Sequence, residues 1–226
     1  MLKHFKALLG GEISATSLDK PEWRCFATYF LAVVIGSSVY GATIGLWRAP
    51  LQALFTAIKF PLLIFATCIG NGAVNGMLAQ VLGSRLTFRQ TALAILMSFA
   101  IASVILGGFS PIALFVVYNA PPLGSEHAIV GHSVMLLTHV FGIAFAGVIA
   151  NRRLLGWLRK ISRHDRTAHA VLFSWLAGNL FLGAQLAWNL RPFIGAPQLA
   201  VQFLRDDALR GNFYEAVWRA FRHVFL

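Results

Sequence analysis

Five runs without Lys, Arg, Asp or Glu divide this chain: 25–47, 60–84, 90–125, 127–151 and 167–190, each 23 to 36 residues long. A helix needs about 20 apolar residues to cross the hydrocarbon core of a bilayer, so every run is long enough. Inside that core no water satisfies backbone N–H and C=O groups, which leaves helices and closed barrels as the spanning forms. The runs are continuously apolar rather than alternating, and that selects helices. The expected fold is all-α: a polytopic transmembrane helical bundle with five spanning helices and short amphipathic interfacial helices.

Composition sets the remaining bounds. The chain has 226 residues, of which 58% are hydrophobic and 12% charged. That charged share is about half the soluble norm. Five spans use most of the length, so one membrane domain is expected at 26–191. A polar and amphipathic segment precedes it at 1–25, and an amphipathic tail follows at 192–226. The net charge of +11 comes from basic residues flanking apolar runs, the ordinary membrane pattern. No stretch carries a nucleic-acid reader, so no nucleic-acid partner is expected. Cys25 and Cys68 have neither CxxC nor Cys/His ligand spacing, which argues against a disulfide framework or a metal site. No cofactor motif is present. The first ten residues lack the apolar core of a secretory signal, so the first span is expected to act as an uncleaved insertion signal.

The expected spans are 26–46, 60–80, 91–117, 129–150 and 170–190. Lys59 and Pro61 interrupt the start of the second, so 51–58 reads as a separate interfacial piece. Leu2, Phe5, Leu8 and Leu9 share one helical face, with Lys3 and Lys6 opposite, which suits a short surface helix. Residues 10–17 read as a linker. Pro21 and Glu22 suit the first turn of a helix. Asn212 and Glu215 have capping-box spacing, and a tail helix from there places Tyr214, Val217, Trp218, Phe221 and Val224 or Phe225 on one face. That helix either lies in the interface or packs on the bundle.

Loop charges give an orientation. The N-terminal segment, the loop with Arg85 and Arg89, and the loop after the fourth span are basic, whereas the loop after the third carries only Glu126. The positive-inside rule therefore predicts a cytoplasmic N-terminus. Five spans then put the tail outside, although its five arginines exceed its three acids by +2. A hairpin-like second or third span would reverse that parity.

Small residues recur at helix-packing intervals: Ser37, Gly41 and Gly45; Gly72 and Gly76; Gly142, Ala146 and Ala150. Such ridges let helix backbones approach closely in lipid, within one bundle or between subunits of a homo-oligomer. The polar residues of the spans are the candidate functional groups. Asn71 and Asn75 lie i,i+4 in the second span, and Asn179, Gln185 and Asn189 lie in the fifth. They read either as interhelical glue or as the lining of a solute or ion path. Gly72, Asn75 and Gly76 together mark a candidate kink. Lys59, His132 and His139 are the candidate titrating groups. The long Lys59 stem is expected to snorkel to the interface, and the two histidines are expected to serve packing. Between 151 and 169, Leu154, Trp157, Leu158 and Ile161 have helical spacing. Arg152, Arg153, Arg159, Lys160, Arg163 and Arg166 surround them, as in a surface helix on anionic lipids of the inner leaflet.

The stretch Gly76-Met-Leu-Ala-Gln-Val-Leu-Gly-Ser-Arg-Leu-Thr-Phe-Arg-Gln-Thr-Ala-Leu-Ala-Ile-Leu-Met-Ser-Phe-Ala, with the apolar run after it, resembles the Yip family of Rab-GTPase-interacting membrane proteins. The likeness covers residues 76–120. It implies a five-span, non-enzymatic organiser or adaptor and carries no GTPase-binding residue over. No nucleophile elbow, HExxH, P-loop or dinucleotide fingerprint occurs, and the spans hold no Asp or Glu, so no enzymatic activity is expected. The sequence thus supports a membrane-organising scaffold first. Its alternative is a channel or small-solute permease with an amide-lined path through the second and fifth spans.

Overall fold

The structure is a computed structural model and describes residues 5–8, 23–84, 86–162 and 164–225. Leu2, Lys3, Leu9, the linker at 10–17, Pro21, Glu22, Arg85 and Arg163 lie outside the described residues. The ordered elements are α1 (Trp23–Gly45), α2 (Pro50–Val81), α3 (Phe88–Asn119), α4 (Ala128–Ile161), α5 (Asp165–Asn189) and α6 (Phe213–Phe225). The first five are each long and apolar enough to cross a membrane. Among the described residues there is no strand. This is an all-helical, multi-span membrane protein.

The helices alternate in direction, so the bundle has two distinct ends. A basic end gathers the turns after α2 and α4. The opposite end gathers the turns after α1 and α3, together with residues 190–212, which we call the strap. There Trp47, Val117, Met135 and Ile194 form one cluster, and the Trp47 indole donates to Pro121 O at 3.4 Å. The tail therefore sits at the end opposite the basic loop, and no hairpin-like span occurs.

The second span differs from its expected form. α2 runs unbroken for 32 residues and absorbs the piece at 51–58. At 1.5 Å per residue it rises about 48 Å, beyond the roughly 30 Å hydrocarbon core. Pro61 lies inside it and has no N–H for the carbonyl of Ala57. The Ser38 hydroxyl of α1 donates to that carbonyl at 2.8 Å, so the vacant acceptor is satisfied from a neighbouring helix.

α1 is the central helix and packs chiefly on α3 and α2. Gly41 and Gly45 receive the α2 backbone: a Cβ at either would stand 2.7 Å from a carbonyl oxygen, of Thr56 or of Gln52 respectively. Ser37 is buried on the same helix and donates to Val33 O. Gly142 faces the Tyr40 hydroxyl, and Ala146 and Ala150 are buried. Gly76 abuts the Phe88 ring, but a Cβ on Gly72 would meet nothing within 4 Å. The expected second ridge is therefore Gly76 alone. The tightest approach falls elsewhere, at Gly36 of α1 against Ser103 of α3.

α4 also outruns its expected span. Residues 151–161 continue the helix instead of forming a separate piece on the membrane surface. Leu154, Trp157 and Leu158 are buried in the main core with Cys25, Ala168 and Val171. The apolar face that suggested lipid contact packs on protein. α5 follows, and only Ala168, Val171, Leu172 and Trp175 are buried along it.

In the tail, Glu215 N donates to Asn212 Oδ1 at 2.9 Å and starts α6 as a capping residue should. α6 leans on α4 and α5 with Ala220 buried, while Tyr214, Trp218, Phe221 and Phe225 stay exposed.

Candidate functional site

A polar stripe runs nearly the whole length of α2. Gln52, Thr56, Lys59, Thr67, Asn71 and Asn75 follow one another in steps of three or four, with Leu63 filling the one gap. All six are buried. Polar groups turned inward on a membrane helix each need a partner or a cavity to line.

In the basic half the stripe faces α5. Asn71 Nδ2 donates to Asn179 Oδ1 at 2.9 Å, which joins two of the five expected amides. Asn75 is fully buried, and neither its Nδ2 nor its Oδ1 has a partner. The backbone carbonyl of Asn75 accepts from the Trp175 indole at 2.9 Å. Gly178 leaves room beside both amides: a Cβ there would stand 3.5 Å from Asn71 Oδ1 and 3.6 Å from Asn75 Oδ1. Gly183 passes Thr67 in the same way, at 3.8 Å. Gln185 and Asn189 are half-buried further along α5 and do not join the pair. The candidate kink residues are all helical, and α2 continues through them.

In the other half the strap covers the stripe. Gln52 Nε2 donates to Pro192 O at 2.8 Å and reaches Phe193 O at 3.1 Å. Thr56 Oγ1 lies 2.6 Å from Phe193 O and 2.8 Å from Gln52 O, and its single proton serves one of them at a time. Lys59 Nζ donates to Pro192 O at 2.9 Å and sits over the rings of Phe203 at 4.8 Å and Phe193 at 5.9 Å. Lys59 is 0% exposed, so it does not snorkel. Its stem points into the bundle, and the strap takes the place of water around its head. Gly195 gives the strap its turn, with φ +86° and Arg48 packed against it.

Three arginines tie the strap in place, Arg48 from the turn after α1 and Arg191 and Arg205 from within the strap. Arg48 Nη2 donates to Leu199 O at 2.9 Å. Arg191 pairs with Asp207 at 3.1 Å and donates to Asp207 O, Ala208 O and Arg210 O. Arg205 donates to Ala200 O. Burial, and then the positive charges of Arg191 and Arg48, hold the Arg205 guanidinium below its ordinary value, against Asp207 and Asp206.

The histidines take packing positions. His139 Nδ1 lies 3.2 Å from Tyr40 Oη, and its ring stacks on Tyr40 and meets the Phe60 edge. His132 lies beside Trp47. At the basic end Arg152, Arg159, Lys160 and Arg166 are exposed. Arg153 instead donates to Leu8 O at 2.9 Å and ties the helical turn at residues 5–8 to α4. Arg159 lies 3.8 Å from Asp165. Among the described residues no three His, Cys, Asp or Glu side chains gather as metal ligands would.

Sequence reasoning found Asn71, Asn75 and Lys59 but not the stripe that unites them. Counting back from Asn75 in steps of four reaches Asn71, Thr67, Leu63 and Lys59, and a step of three and then of four from there reaches Thr56 and Gln52. The strap was missed because Arg191-Pro192 reads only as the close of the fifth span. No family model, no curated protein and no solved structure matches the chain.

Proposed function

We propose that this protein is a channel or small-solute permease whose path follows the α2–α5 seam. The carrying observation is the buried polar stripe of α2, in which Asn75 has two unpartnered amide atoms and, among the described residues, no carboxylate pairs with Lys59. A seam built only as glue would leave neither. Buried amides and a charge within a membrane helix are the ordinary materials of a solute path, and hydrocarbon penalises each one that is unpaired. In this reading the strap is the closed gate, and Gly178 and Gly183 keep α5 narrow enough for a path to form beside α2.

The test is flux from liposomes holding the purified protein. Wild type is expected to pass a small solute or ion. Asn71→Leu combined with Asn75→Leu should lower that flux at least about tenfold, because a tenfold loss needs only about 1.4 kcal/mol. Its helicity and elution volume should stay unchanged. Equal flux in the double variant would remove the path from this seam. No flux in wild type would favour the membrane-organising reading, which the Yip-like stretch at 76–120 also suggests. Its surfaces would be the exposed Arg152, Arg159, Lys160 and Arg166 against anionic lipid, and the aromatic strip of α6.

A further inference from the structure

We infer that the Lys59 pocket beneath the strap binds a small monovalent anion, such as chloride, which takes the position of the Pro192 carbonyl on the ammonium. The inference names the solute class for the path proposed above and rests on that reading for the anion's route. Its binding test stands apart from flux.

Lys59 is completely buried, yet among the described residues no Asp or Glu pairs with it. Its partners are one carbonyl oxygen and two ring faces. These are dipoles and quadrupoles, and burying a full charge against them alone leaves most of its desolvation uncompensated. The surroundings add to the excess. Arg48, Arg191 and Arg205 all grip the same strap. The acids there are Asp206 and Asp207, and Asp207 is taken by Arg191. Four cations thus face two carboxylates, an excess of two positive charges. Pockets of one sign with apolar walls concentrate the opposite ion.

Against the strap at Gly195, the Nε donor of Arg48 is buried without a partner. An anion at Lys59 would draw the Gln52 amide N–H toward itself, since that group already points at Pro192 O. The bound species must be small, because one carbonyl oxygen fills the space it would occupy. A monovalent ion suffices, because Lys59 is the fully buried one of these four cations. A carboxylate in the same place would have made a fixed ion pair, and among the described residues none stands there.

The experiment is a chloride titration of the purified protein in detergent and chloride-free buffer, read as broadening of the chloride-35 NMR line. Wild type and Lys59→Arg are expected to broaden the line saturably. Lys59→Met should reduce the broadening at least about tenfold while keeping its circular dichroism and elution volume. Undiminished broadening in folded Lys59→Met, or none in wild type, overturns the inference. A comparison that needs no variant guards against misfolding. Bound ligand stabilises the native state by RT ln(1 + [L]/Kd), so wild type should melt higher in sodium chloride than in equimolar sodium gluconate, whose anion is too large for the pocket. Equal melting in the two salts also counts against the site. Chloride bound without flux would keep the site and remove the path, and flux without chloride binding would do the reverse.

Discussion

Gly36→Val is expected to leave no correctly folded bundle. A Cβ at Gly36 would stand 2.3 Å from Ser103 O, 2.6 Å from its carbonyl carbon and 3.1 Å from Val104 N. All three are backbone atoms of α3, so no side chain can swing aside. On the facing helix, a Cβ at Gly107 would stand 3.1 Å from the Gly36 Cα. α1 and α3 must therefore separate along the most extensive contact in the molecule. Overpacking costs about 1–3 kcal/mol where neighbours can adjust, and more where they cannot. Lipid offers no hydrophobic drive to hold the separated helices together. The measurement is size-exclusion profile and thermal unfolding in detergent, with Gly72→Val as the control, since a Cβ there meets nothing within 4 Å. Gly36→Val should aggregate or lose its transition, and Gly72→Val should match wild type. Matching transitions for both would show that the helices do not cross at Gly36.

Releasing the strap is expected to have the opposite kind of effect, a gain of activity. Gln52 and Thr56 supply two of the three α2 side chains that donate to Pro192 and Phe193. Gln52→Leu with Thr56→Val leaves Phe193 O without an α2 donor and Pro192 O with Lys59 alone. Each buried group left unsatisfied costs about 1–3 kcal/mol, and every 1.4 kcal/mol shifts an equilibrium about tenfold. The open population should therefore rise at least about tenfold. Flux should rise with it, and trypsin should cut faster after Arg205 and Arg210. Unchanged flux with faster cleavage would separate the strap from any gating role. If neither changes, the three donors do not hold the strap.

The number and class of the spans were legible because charge-free length alone decides them. Their bounds were not, because a charge or a proline marks a local demand and does not by itself end a helix. Lys59 stays inside α2 because the strap solvates it, and Pro61 stays because Ser38 takes the vacant carbonyl. In α4 the basic residues ride the exposed side while Leu154, Trp157 and Leu158 remain in the core. Local chemistry was read well: Asn212 caps α6, and Gly41 and Gly45 admit α2. What depends on distant partners was not. Gly36 looks like any span glycine until Ser103 and Gly107 meet it, and Asn71 gave no sign that it pairs with Asn179. The strap was hardest to read, since nothing local announces that a Pro- and Gly-containing segment after the last span folds back over buried donors.

The central claim is that the α2 stripe lines a path open to water. Single cysteines in a Cys25→Ala, Cys68→Ala background test it directly, at Thr67, Asn71 and Asn75 on the stripe and at Ile69 and Val74 on the exposed face of α2. Their reaction with a small, membrane-impermeant charged thiol reagent would be followed in liposomes. The account predicts modification at 67, 71 and 75, faster when Gln52→Leu and Thr56→Val release the strap, and none at 69 or 74, which face lipid. Unreactive cysteines at all three stripe positions, with the strap released, would contradict it and leave the amides as glue between α2 and α5.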